Sequence, residues 1–520
     1  MDLTELAEHG NKLWRDAAEN PESYDKSRDF AQFCIDHHLG SPHLLELAEK
    51  FILQALSLRQ GGQEKEDFLF FLSEIYLIKG QHDLERDVLG ILLSINGTNL
   101  DYLRRYANAC SHLGLGQEAS VNYRKALDLE ENQAASICRH HDIPPTRVLY
   151  QTADPVQHVG EICLCFGLLE IGRTFGFIDR FRAVALAPLE RVCNEPLLDL
   201  WRDRISIVSR DEDIEDFESR LDGIGFNTDF MPVSTGDIMH REFAARALRR
   251  RWLEEDRPPL LQLPDTMLEK GRTLLRDLGM PDGAWFACLH VRESGFHKYS
   301  ANSPADKNRN GNIEDYIQAI ESVTKRGGWV VRIGDASMQP LPEMTHVIDG
   351  AHRVDREPWN DIFLMGACRF FIATTSGPFD VASTFDVPVV GTNWVPLVTC
   401  PTGKRDIFVP RLLRAKDTGR KFTIKEYMTS PFFWSFNLLS YDLHNGYAEA
   451  NTSEEIDAAV VEMMDNLDGT VRYDEEDERR QELFKVSYER AQPEIVSMIG
   501  GAPLSRISRH FLQCHPEILE

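Results

Sequence analysis

The sequence predicts an all-α helical-repeat domain followed by two α/β units, each built on a parallel sheet, and a helical tail. Three observations predict it. Over the first 140 positions apolar residues recur at three- and four-residue spacing without strand-like alternation. From Thr146 onward short apolar runs alternate with helical segments, and from Trp285 that pattern begins again. The length, 520 residues, accommodates three units at about 150 residues each. The boundaries read from these shifts are 1–140, 146–278, 281–468 and a tail over 469–520 that packs back on the core.

The helical part is carried by segments such as Pro42 to Leu58, PHLLELAEKFILQALSL. Two stretches in it look alike, one beginning at Phe71 and one at Tyr106. Gly80 and Gly114 stand 34 positions apart, and the Gly-Gln pairs at 80 and 116 stand 36 apart. In the second stretch Gly114, Ala119, Tyr123 and Ala126 fall at the offsets of a tetratricopeptide repeat, where small residues let paired helices approach and an aromatic fills the gap between pairs. A plain helical bundle is the alternative, because the second repeat is the cleaner one.

In the first α/β unit the expected strands are Thr146 to Gln151, Phe181 to Ala187, Ile205 to Ser209 and Phe230 to Ser234. A charged helix, HREFAARALRRRWLEED, and the prolines 258, 259 and 264 close it. In the second the runs are Trp285 to Val291, Gly328 to Gly334, His346 to Gly350, Arg369 to Thr375 and Pro388 to Asn393. Apolar runs joined by helical crossovers imply parallel sheets covered on both faces, hence two Rossmann-like domains facing a cleft. Ligands of such sheets bind beyond the carboxyl ends of the strands.

Charge and cysteine content exclude some functions. Lys plus Arg number 57 against 83 Asp plus Glu, a net charge of -26, so a nucleic-acid backbone is not an expected partner. The ten cysteines are scattered without the paired spacing of a zinc site. No metal is expected: Asp211-Glu212-Asp213 opens an acidic helix and reads as a solvated face. The N-terminus lacks a basic region and an apolar core of a signal peptide, and no run approaches the roughly 20 residues of a spanning helix. The expected location is the cytoplasm, or the periphery of an inner membrane.

Four strand ends gather chemistry-bearing residues. His290 and Arg292 share one side of the first, and a strand-end arginine suits bidentate phosphate binding. The second ends in Gly334-Asp335, whose carboxylate suits a ribose hydroxyl or a base amine. Thr375, Ser376 and Gly377 precede a helix whose N-terminus is a ready anion site. The fifth run of that unit ends in Thr392-Asn393. Singly each is as well explained by a cap or an ion pair; in this order they predict a nucleotide diphosphate site.

The stretches HVRESG, NIEDYIQAI, VVRIGDASMQPLP and DIFLMGACRFFIATTSGPFDVASTF resemble the ordered motifs of the fucosyltransferase superfamily of GT-B glycosyltransferases. From about Thr146 to the end, the chain is also similar to a family of bacterial glycosyltransferases of surface carbohydrates. The resemblance implies that Arg292 holds a donor diphosphate, Asp335 contacts the nucleoside, and Thr375, Ser376 and Gly377 seat a phosphate. Where that superfamily continues its motif with a base or an acid at further positions, this chain has Glu293, Ser294 and Gly295.

Such a transfer needs counter-charge for the leaving diphosphate, which Arg292 and a helix dipole supply without metal or other cofactor. It also needs a base within hydrogen-bond reach of the acceptor hydroxyl. Asp154, His158 and Glu161, beyond the first strand, are the candidates, with a helix cap and first-turn acid as the alternative for each; Glu293 is a further one. The polar segment Phe296 to Asn312 reads as a lid whose Lys298, Lys307 and Arg309 face a diphosphate, with Asn310 beside them. The expected activity is transfer of a sugar from a nucleotide-diphosphate donor, GDP-sugar first, to a protein or surface-glycan acceptor with inversion. The repeat domain offers a surface for a protein partner. The alternative is a non-catalytic repeat scaffold with a nucleotide-sensing Rossmann pair.

Overall fold

The computed structural model describes residues 3–37, 43–58, 62–150, 155–178, 182–220, 225–293, 308–433, 441 and 444–520. The chain divides into two compact units, 1–129 with 437–444 and 130–436 with 445–520.

The first unit is helical: α1 (Leu3–Glu19), α2 (Tyr24–His37), α3 (His43–Ser57), α4 (Gln63–Ile78), α5 (His82–Ile95), α6 (Leu100–His112) and the start of α7 (Gly116–His140). The two look-alike segments are helical hairpins, α4–α5 and α6–α7. Gly80 and Gly114 end the first helix of each in the left-handed region, at φ 68° and 76°, which a residue with a Cβ adopts only at a cost. Asn99 caps α6 by accepting from the amides of Asp101 and Tyr102. Ala119, Tyr123 and Ala126 are buried, and the Tyr123 hydroxyl donates to Asn108 Oδ1 of the paired helix at 2.5 Å. Small residues and one aromatic therefore occupy the packing positions that the sequence offsets predict.

The second unit carries two parallel sheets. The first has the order β3-β2-β1-β4, from β1 (Thr146–Tyr150), β2 (Arg182–Leu186), β3 (Ser206–Val208) and β4 (Gly225–Asn227). One expectation is corrected here. The run Phe230 to Ser234 is not a strand of this sheet: β5 (Phe230–Pro232) forms an antiparallel hairpin with β6 (Ile238–His240). The fourth parallel strand is the three-residue Gly-Phe-Asn of β4. Pro232 has no amide to donate to a ladder, which favours the small hairpin, and Phe230 and Met231 bury their side chains there. The helices of this half are α8 (Val159–Thr174), α9 (Glu195–Asp199), α10 (Asp211–Arg220), α11 (Arg241–Glu254) and α12 (Asp265–Asp277).

The second sheet has seven strands in the order β15-β12-β11-β10-β7-β8-β9, every pairing parallel. They are β7 (Phe286–His290), β8 (Trp329–Arg332), β9 (Val347–Asp349), β10 (Phe370–Ala373), β11 (Val389–Trp394), β12 (Ile407–Pro410) and β15 (Arg506–Ile507), with β13 (Leu412–Ala415) and β14 (Gly446–Glu449) as a separate hairpin. Its central strands are fully buried, so they read as unbroken apolar runs. Helices α13 (Ile317–Lys325), α14 (Pro358–Ala367) and α15 (Gly377–Thr384) make its crossovers. The chain builds outward from β7 to β9 and then returns to place β10 on the other side of β7. The crevice beyond β7 and β10 is therefore the switch point of the sheet.

Beyond the sheet come α16 (Ile424–Thr429), α17 (Ser453–Leu467), α18 (Glu475–Ala491), α19 (Pro493–Met498) and α20 (Arg509–Cys514). The tail reaches α11, where the buried Arg246 donates to the Tyr488 hydroxyl and Arg250 donates to the Ala502 carbonyl at 2.7 Å. Among the described residues no helix is long and apolar enough to cross a membrane.

Candidate functional site

A cavity of about 710 Å³ lies in the second unit between the starts of α8 and α11 and the carboxyl ends of the second sheet. His290, Arg292, Arg309, Gly334, Asp335, Thr375, Ser376 and Gly377 all line it, as do His158 and Glu161. Asn310 is not on its wall but accepts from Arg292 Nη1 at 2.5 Å, and its carbonyl accepts from Arg411. Asp154 and the greater part of the expected lid, 296–307, lie outside the described residues.

The switch point fixes two of these segments. Ala373 pairs with His290 across β10 and β7, and the Arg292 amide donates to Thr374 Oγ1 at 3.0 Å. His290 Nδ1 lies 3.1 Å from Ser376 Oγ, and that hydroxyl lies at 3.1 Å from the Thr374 carbonyl. Ser376 therefore caps α15 by position, without a side-chain bond to the helix amides. Burial pushes the His290 pKa down to about 4, helped by the nearby Arg332, Arg292 and Arg356 against the opposing Asp335. The ring is neutral at pH 7 and serves as a dipolar partner, not a cation. Thr375 Oγ1 accepts from the Val395 amide at 3.3 Å, which fixes the turn between β10 and α15.

Beyond β8 the chain passes through Gly334 at φ 152°, where a Cβ would meet Met338 Sδ at 2.1 Å. The Gly334 carbonyl accepts from Arg356, whose other nitrogens hold Asp361. Asp335 follows. Its Oδ1 accepts from the Ser337 amide at 2.8 Å, while its buried Oδ2 has no hydrogen-bond partner. A buried carboxylate oxygen left bare costs free energy unless a ligand donor meets it, so Asp335 is suited to an N–H or O–H of a bound molecule.

Glu293 is corrected as a candidate base: it does not line the cavity. Its Oε1 accepts from the fully buried Arg332 at 2.7 Å and its Oε2 from the Gln339 amide at 2.7 Å. With Asp349, whose Oδ2 lies 3.5 Å from Arg332 Nη1, it supplies the counter-charge of a buried guanidinium, and it holds the ends of β7 and β8 together.

On the facing wall His158 stands at the head of α8, exposed and without a side-chain bond to the helix. Glu161, in the first turn, accepts from both terminal nitrogens of Arg241, at 3.0 and 3.4 Å. Among the cavity residues that escape sequence reading are Arg241, Glu242, Arg356 and Asp380. Arg241 and Glu242 begin the charged helix α11, and Asp380 sits in the first turn of α15, where a helix-favouring acid attracts no notice. Burial raises the pKa of Glu242, with Glu161 adding to the shift and Arg241 opposing it. Burial also raises Asp380 well above the usual carboxylate range, with Glu161 and Glu242 adding and Arg241 opposing. Among the described residues no group of three or more His, Cys, Asp or Glu side chains is placed to hold a metal ion.

No family model matches the chain, and no curated protein matches it. Solved structures do. The chain is similar to the ADP-heptose lipopolysaccharide heptosyltransferase II of E. coli, at 13% identity over 47% of this chain and 84% of that one, TM-score 0.30. It is similar to a family 9 glycosyl transferase of Veillonella parvula, at 14% identity over 48% and 80%, TM-score 0.31. A mutant O-GlcNAc transferase of Thermobaculum terrenum aligns over 99% and 98% of the two chains, at 13% identity and TM-score 0.23. At such scores the likeness is loose, and what the chain does is to be read from its own cavity.

Proposed function

We propose that the chain is a glycosyltransferase that takes a sugar from a nucleoside-diphosphate donor. The observation that carries this reading is the convergence, on one cavity at a sheet switch point, of Arg292, the bare oxygen of Asp335 and the Thr375–Gly377 turn. In this reading Arg292 and Arg309 face the diphosphate, and its terminal phosphate sits at the start of α15, so the charge that grows on the leaving group is met without a metal. Asp335 Oδ2 accepts one donor of the nucleoside, either a ribose hydroxyl or a base amine. Guanine, adenine and cytosine all offer such an amine, so GDP-sugars come first on the motif resemblance and not on this contact. His290, neutral and tied to Ser376, orients the turn.

The acceptor enters from the side of α8 and α11, and transfer proceeds with inversion. Proteins and surface glycans are the acceptor classes, the former supported by the helical-repeat unit. The test is thermal melting with GDP, UDP, ADP and CMP, then sugar release from the corresponding donors. A melting rise with one nucleotide that Arg292→Ala abolishes, followed by sugar release, supports the reading. Binding without sugar release favours the nucleotide-sensing scaffold instead, and no binding at all overturns both.

A further inference from the structure

Asp380 lies in the first turn of α15, next to the turn that the transferase reading assigns to a phosphate. An ionised acid there opposes the positive end of the helix as an anion site. The fold does not consume its carboxyl: Asp380 is half-buried on the cavity wall, and no described residue hydrogen-bonds or ion-pairs with its side chain. The neighbouring guanidinium of Arg241 is taken, by Glu161 at 3.0 and 3.4 Å and by Glu242 at 3.5 Å.

The carboxyl points across the seam between the two α/β halves. A Cβ on Gly160 of α8 would fall 2.9 Å from Asp380 Oδ2 and 2.6 Å from the Gly377 Cα. A glycine at the head of α8 thus makes room for this acid at the seam. The titratable and charged groups facing it are Glu161 and Cys163 from α8 and Arg241 and Glu242 from α11, and burial holds the Cys163 thiol neutral. Farther along α11, Arg249 is bound to the Ser383 carbonyl and Asp386, and on α14 Asp361 is bound to Arg356. Strands β10 and β11 contribute no titratable side chain.

We propose, resting on the transferase reading, that Asp380 is the general base of the transfer. It accepts the proton of the attacking hydroxyl as that oxygen bonds to the anomeric carbon, while the sugar–phosphate bond breaks and its electron pair leaves on the nucleoside diphosphate. Two acids and one guanidinium around it leave an excess negative charge that, with burial, strengthens its hold on a proton. Glu161 and Glu242 are positioning residues that set this strength, because Arg241 occupies both.

The experiment uses the full chain, GDP-, ADP- and UDP-sugars as probes, and water as the acceptor, with nucleoside-diphosphate release followed between about pH 5 and about pH 9. The wild type is expected to gain rate with rising pH along a limb above the ordinary carboxylate range. Asp380→Asn loses about 100-fold or more in kcat and loses the limb, while nucleotide affinity is retained. Glu161→Gln, which keeps Asp380, moves the limb to lower pH because a like charge is gone. Wild-type turnover in Asp380→Asn, loss of nucleotide affinity in it, or an unmoved limb in Glu161→Gln overturns the assignment of the base and leaves the transferase reading standing. Absence of release from every donor by the wild type overturns the transferase reading itself.

Discussion

The contact between α8 and α15 brings backbone against backbone on the cavity wall, and replacing either glycine tests it. At Gly377 a Cβ would lie 2.9 Å from the Gly160 nitrogen, 3.2 Å from its Cα and 3.3 Å from Val159 Cγ2. At Gly160 it would lie 2.6 Å from the Gly377 Cα. The obstructing atoms are mostly backbone, which cannot rotate away. To reach ordinary contact the helices must part by about 0.5 Å for Gly377→Ala and about 0.8 Å for Gly160→Ala. Overpacking of that order costs about 1–3 kcal/mol, and alanine's helix propensity returns up to about 1 kcal/mol of it. The expected net losses are about 1 kcal/mol for Gly377→Ala and about 2 kcal/mol for Gly160→Ala. The double variant should cost less than the sum by at least about 0.5 kcal/mol, because helices already parted admit the second methyl group more easily. Urea unfolding of the four proteins, followed by tryptophan fluorescence, gives the cycle. Unchanged midpoints in both single variants, or strictly additive losses, would refute the close approach.

Three further outcomes follow from the same geometry. Glu293→Gln should lower stability by about 2 kcal/mol in urea unfolding, because it strips the nearer of two carboxylates from the buried Arg332 and leaves Asp349 at 3.5 Å, yet leave nucleotide affinity within about threefold, because Glu293 is off the cavity wall. His290 has a folded pKa of about 4 against about 6.5 unfolded. The unfolded chain therefore takes up the proton first, and stability is lost as pH falls from about 6.5 toward the folded value. Between pH 7 and pH 5 this contributes about 2 kcal/mol of loss, and His290→Asn, measured by urea unfolding at both pH values, should show a loss smaller by that amount. Asp335→Asn should weaken nucleotide binding about 10-fold in titration calorimetry, while an effect confined to stability would contradict its exposure to ligand.

Much of the second sheet is legible in the sequence because strands buried on both faces must be apolar along their length, as in 286–289 and Phe370 to Ala373. The strand ends are legible for the same reason: the polar residues that interrupt such runs, Arg292, Asp335 and Thr375, stand where the chain leaves the sheet. The misplaced strand shows the limit. Phe230 to Ser234 is more apolar than Gly225 to Asn227, yet the weaker run pairs with β1, because partner strands and Pro232 decide pairing more than local preference does. Strand β15 has two residues, too few to carry any pattern. The seam residues Arg241, Glu242 and Asp380 are invisible for a different reason. Each is an ordinary first-turn residue of a helix, and only the crossing of α8, α11 and α15 makes them neighbours.

The most direct measurement is a structure of the chain with bound GDP. The expected result is phosphate oxygens within about 3 Å of Arg292 and of the amides at the Gly377 turn, with Asp335 Oδ2 accepting from the nucleoside. A nucleotide bound anywhere else, or one in this cavity whose phosphates face away from Arg292 and α15, contradicts it.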